Sequence, residues 1–165
     1  MIMDDHDIQR FEELLEGFDH AMLVSVAKDR SLHARPMAIA DSDGAMLRFA
    51  TSNRSAKAAE VTLHPRVSVV MQGGGAYLAI SGTARIIDDS ERVRLLWQPG
   101  WKVWFPGGPD DPNLVLIEID PERAEYWDRS GARRLEFLWE AGKALATGRR
   151  IPEDELSGHG KFTFG

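Results

Sequence analysis

The chain contains no cysteine, which removes disulfides, thiol nucleophiles and thiolate metal sites from consideration. It has no excess of positive charge. Its net charge is −6, so binding to nucleic acid through a basic surface is not expected. No apolar run approaches the roughly 20 residues that span a bilayer, and the acidic first seven residues carry no signal-peptide core. The expected setting is therefore cytoplasmic and away from the membrane. Catalytic signatures are also missing. The five histidines (His6, His20, His33, His64 and His159) show no paired metal spacing, no HExxH occurs, and there is no GxSxG elbow. Gly73-Gly74-Gly75 precedes a strand and not a helix, which makes it a hairpin turn and not a phosphate loop.

What is present fits one folded domain. The 165 residues, 43% hydrophobic and 28% charged, suffice for one sizeable core. Residues 1–150 are expected to form it, with 151–165 as a loose tail. Ile8, Phe11, Leu15 and Phe18 recur at helical spacing and predict a first helix ending near Gly17. Strands are expected over 21–27, 32–40, 45–50, 66–72, 77–87, 114–119 and 123–128. Helices are expected over 55–63, after the cap at 88–90, and over 135–146, with a loop at 98–113. Six or seven short strands joined by hairpins argue for a closed antiparallel barrel. Pro36 lacks a ladder donor, so its strand should have one unpaired edge. Such an edge can hydrogen-bond a flat heterocycle.

The most informative residues lie on either side of the third strand. Ser55 stands at a helix start, where free N–H groups and the helix dipole favour an anion. Lys57 lies in the first turn, where a cation is unfavourable unless an anion offsets it. Arg35 on the neighbouring strand can grip the same phosphate, and Thr51 and Ser52 add hydroxyl donors. The plainer reading is a serine cap among solvated cations. A second feature is Trp97, Trp101, Trp104 and Phe105, which Pro99-Gly100 keeps out of one regular helix. This segment can cover a planar ligand or a partner subunit, or plug the end of the barrel.

Several of these segments, in order, resemble one family. His33-Ala34-Arg35-Pro36-Met37, Phe49-Ala50-Thr51-Ser52, Ser55-Ala56-Lys57 and His64-Pro65-Arg66-Val67 resemble the pyridoxamine 5′-phosphate oxidase-like, FMN-binding split-barrel superfamily. Residues 101–108, 111–114 and Glu125-Tyr126-Trp127-Asp128 resemble its general stress protein 26 group. The resemblance covers roughly residues 8–148. It implies a mainly β, six-stranded antiparallel split barrel with flanking helices. It also implies a homodimer with FMN, or alternatively FAD or a deazaflavin (F420), at the subunit interface. By position, Arg35, Pro36, Met37 and Ala38 would run beside the flavin, Ala50, Thr51 and Ser52 would meet it from the next strand, and Ser55 and Lys57 would hold phosphate. Tyr77 would approach the ring, and Trp101 and Trp104 would cover the flavin of the other subunit. Three departures argue against vitamin B6 phosphate oxidation. Ala40 stands where a lysine is common, Ala56 replaces an arginine, and no arginine–histidine pair follows Trp127. The implied activity is a flavin-dependent oxidoreductase or flavin reductase. The alternatives are a flavin-binding protein without turnover and a deazaflavin-dependent reductase.

Overall fold

The computed structural model describes residues 5–128 and 160–164. Its elements run in the order α1 (Asp5–Leu15), β1 (His20–Val26), β2 (Leu32–Asp43), β3 (Met46–Ser52), α2 (Ala56–Leu63), β4 (Arg66–Gly73), β5 (Ala76–Ile87), α3 (Ser90–Leu96), β6 (Leu114–Asp128) and β7 (Gly160–Thr163). Two 3₁₀ turns, Pro99–Val103 and Gly108–Asp110, occupy the stretch expected as loop between α3 and β6. The helix expected over 135–146 lies outside the described residues.

The sheet order is β3-β2-β1-β4-β5-β6-β7, and β3 also pairs with β6. That pairing closes six antiparallel strands into a barrel, as the strand count and the resemblance predicted. The hairpins explain the meander. At the β4–β5 turn, Gly74 and Gly75 take φ of 57° and 86°, which side-chain-bearing residues rarely adopt. The core follows from alternation along the strands. Leu23, Phe49, Val69, Leu78, Ile80, Ile117 and Ile119 point inward, and Phe11 of α1 packs against them.

Two expectations need correction. The strands expected at 114–119 and 123–128 are one strand, β6. Its partner β5 shifts register between Ser81 and Gly82, opposite Arg123 and Pro121, which leaves Glu122 as the extra residue of β6. Gly82 is required there, because a Cβ at that position would run into the backbone of Asp120 and Pro121. The bulge absorbs the proline and keeps the ladder running. The second correction concerns residues 160–163, expected in a loose tail. They form β7 against residues 123–126 of β6. Phe162 is buried there, stacked on Tyr126 and edge-on to Phe11.

The feature that positions a site is a parting of two strands. β2 pairs with β1 over residues 32–38, but with β3 only between Ile39 and Asp43. β3 runs on through Ala50, Thr51 and Ser52 paired to β6. Residues 32–38 of β2 and residues 50–52 of β3 therefore leave facing edges unpaired, and Pro36 sits on one of them, as its missing donor predicted.

Candidate functional site: a cleft between β2 and β3

The gap between the parted strands holds a cavity of about 430 Å³, within the roughly 300–1,000 Å³ usual for small-molecule sites. Pro36, Met37 and Ala38 form one wall. Ala50, Thr51 and Ser52 form the other. Ser55 and Lys57 close one end, and Trp101, Trp104 and Phe105 line the rest. Ten of the twelve residues expected from the sequence thus line one space. Phe105 was not among them, although it adjoins Trp104 in the same aromatic segment.

The polar end is built by the turn from β3 into α2. Ser55 caps α2 by accepting from the Ala58 backbone N–H at 3.2 Å, the side-chain cap that fixes a helix start. Its hydroxyl also lies 3.2 Å from that of the buried Thr51. Asn53 ties this turn to the approach of β6, with its N–H donating to the Asn113 carbonyl at 2.8 Å. α2 has no acidic residue in its first turn, and among the described residues the N–H groups of Ala56 and Lys57 have no acceptor. Lys57 itself is half-buried and has no hydrogen-bond or ion-pair partner among the described residues. Burial pushes its pKa below the ordinary lysine value, the Arg35 guanidinium pushes the same way, and Glu60 opposes them. An anion at this end would offset both the burial of Lys57 and its repulsion from Arg35.

Arg35 does not form part of the cleft wall. It stands behind it, with Nη2 donating to Glu60 Oε2 at 2.8 Å. The same carboxylate accepts from Ser25 Oγ at 2.5 Å and pairs with His33 Nδ1 at 2.8 Å. Burial raises the Glu60 pKa, but the hydrogen bonds from Ser25, Arg35 and His33 outweigh it and leave the group at about 2. Sequence reasoning missed Glu60. It lies 25 residues from Arg35, and no local pattern marks it among helix residues.

The aromatic end is fixed by a second, smaller core in which Val93, Trp101, Phe105, Leu114 and Leu116 pack together, with Trp97 edge-on to Trp101. Trp101 is buried and Trp104 is 72% exposed, so one anchors the segment and the other stands at the cleft mouth. Both line the cleft of their own chain, whereas the resemblance implied that they would cover the partner's flavin. Tyr77 is not brought to this cleft. It pairs with Gln72 and Trp127 at the far end of the sheet.

Chemically, the cleft offers a lysine and a helix start at one end, bare strand edges along its length and aromatic surface at the other end. Lys57 is the one ionisable side chain on its described lining. The described residues contain no helix long and apolar enough to cross a membrane, and no cluster of three metal-ligating side chains.

Comparison with known proteins identifies the family. Residues 6–153 match the family described as pyridoxamine 5′-phosphate oxidase like. General stress protein 26 of Bacillus subtilis strain 168 is 34% identical over 128 residues, spanning 73% of this chain and 88% of that protein. The crystal structure of general stress protein 26 from Bacillus anthracis superposes with a TM-score of 0.67 at 28% identity, covering 73% of this chain and 93% of the other. A general stress FMN/FAD binding protein from Xanthomonas citri gives 0.62 at 27% identity, over 76% and 89% of the two chains. The chain belongs to the pyridoxamine 5′-phosphate oxidase-like family, within its general stress protein 26 group.

Proposed function

We propose that this protein binds FMN without covalent attachment in the cleft between β2 and β3. The carrying observation is Lys57, a half-buried ammonium with no partner among the described residues, at a capped helix start beside a second cation. A flavin phosphate supplies the anion this end lacks. Lys57, Ser55 and the first-turn N–H groups of α2 would hold it, with Arg35 behind them. The open edges at residues 36–38 and 50–52 would meet the ring system, and Trp101, Trp104 and Phe105 would cover it. The Xanthomonas citri relative, described as FMN/FAD binding, supports the same cofactor class. FAD and a deazaflavin are the alternatives, and parallel titrations of the protein with FMN, FAD and the deazaflavin separate them.

A bound flavin supplies the redox chemistry, and the protein supplies orientation and access. We assign the chain to flavin-dependent oxidoreduction or flavin reduction in a cytoplasmic stress response. It would act as a homodimer joined near the cleft, where Pro36 continues into Met22 and Val70, an exposed apolar row across β2, β1 and β4. Tyr77, on the exposed outer face of the same barrel, would then reach a flavin through the partner chain. One observation favours the second reading, a flavin-binding protein without turnover. Apart from Lys57 at the phosphate end, the described lining offers no acid or base for a substrate. Oxidation of NAD(P)H by the FMN-loaded protein with an added acceptor decides between them. Turnover supports the enzyme, and binding without turnover supports the carrier.

A further inference from the structure

We infer that Glu60 is a positioning residue that presents Arg35 to the phosphate and so sets the preference of the cleft for a phosphorylated flavin over the neutral one. The inference rests on the flavin reading above. Glu60 lies in α2 three residues after Lys57, close to one helical turn further on. It is 8% exposed, yet both of its oxygens are satisfied by groups from two other strands. Ser25 of β1, itself fully buried, and Arg35 of β2 donate to Oε2, while His33 of β2 pairs with Oε1. A buried carboxylate with three partners from two separate strands is held in one place.

That fixed carboxylate has two effects on the cations. It engages one nitrogen of the Arg35 fork. Among the described residues the remaining guanidinium N–H groups have no acceptor, so the arginine is oriented and still has donors to offer. It also attracts Lys57, offsetting part of the repulsion from Arg35. Without Glu60, the two cations would repel each other, and the long arginine side chain would be free to turn towards water.

Glu60 is itself negative, so through charge alone it opposes a phosphate dianion. Neutralising it separates the two roles by sign. Charge alone predicts tighter FMN binding in the variant, whereas lost positioning predicts weaker binding. The test is a fluorescence titration of the full chain and its Glu60→Gln variant with FMN and, separately, with riboflavin. The expected result is FMN affinity about tenfold weaker with riboflavin affinity unchanged. FMN affinity that stays the same or tightens overturns the inference. An equal loss for both flavins marks a merely structural role and also overturns it. Ser25→Ala, which loosens Glu60 without changing any charge, provides a second measure. It should weaken FMN alone by about threefold, and unchanged FMN affinity there counts against the inference even if Glu60→Gln does not fold. Failure of the cofactor reading looks different, because the unaltered protein would then take up neither flavin.

Discussion

Burial and the Arg35 guanidinium together hold the Lys57 ammonium below its ordinary pKa. A cation from β2 and a cation from α2 thus work against each other at the start of a helix whose dipole already disfavours positive charge. Such an arrangement costs stability unless an anion is bound to it.

Removing the lysine should therefore separate these two properties. Lys57→Ala should weaken FMN binding by about 1.5–3 kcal/mol, read by quenching of flavin fluorescence, and leave riboflavin affinity unchanged. A lysine whose folded pKa is depressed costs stability while it stays charged. The urea midpoint of the ligand-free variant should accordingly equal or exceed that of the parent. A lower midpoint would mean that Lys57 has a structural partner.

The acid limb of stability should report Glu60. Its folded pKa of about 2 lies below the ordinary 4.5, with the hydrogen bonds from Ser25, Arg35 and His33 outweighing burial. A depressed carboxylate stabilises the fold above the unfolded value, and that contribution is lost as pH falls from 4.5 through about 2. Urea midpoints across this window should fall more steeply in the parent than in Glu60→Gln. Identical slopes would show that the carboxylate titrates normally.

Stability and binding should come apart in the opposite direction at the buried ion network outside the cleft. Glu118 of β6 accepts from Arg48 Nε at 2.6 Å and from Arg85, with Arg92 at 3.8 Å. Arg48 is buried and also donates to Asp41 at 2.7 Å. Glu118→Ala leaves the buried Arg48 with Asp41 as its close carboxylate partner and should cost about 1.5–3 kcal/mol in urea unfolding. FMN affinity measured well below the urea midpoint should not change.

The two cleft tryptophans should differ in the same informative way. Trp101 anchors the small core and meets Trp97 edge-on at 5.8 Å, so Trp101→Ala should cost about 3–5 kcal/mol of stability. Trp104 is largely exposed at the cleft mouth. Trp104→Ala should change stability by less than about 0.5 kcal/mol while weakening the binding of FMN and riboflavin alike, since both carry the ring.

The cleft was legible in the sequence because its walls are short local motifs. Pro36 signals an open edge by its missing N–H, and Ser55 signals a helix start by its hydroxyl. What was not legible depends on contacts between distant segments. Glu60 acquires its meaning only when β1 and β2 bring Ser25, His33 and Arg35 to it. The continuity of β6 through Pro121 depends on Gly82 of the neighbouring strand. β7 is four residues long and is a strand because Phe162 finds Tyr126 and Phe11, not because its own pattern is strong. Tyr77 illustrates a further limit. Its position was inferred from resemblance, and the fold of one chain leaves it away from the cleft.

The visible absorption spectrum of the freshly purified protein, followed by titration with FMN, tests the central claim most directly. Flavin absorption is expected, with FMN released on denaturation in amounts equal to the chain, or full uptake of added FMN by colourless protein. A colourless protein that takes up no added FMN would contradict it.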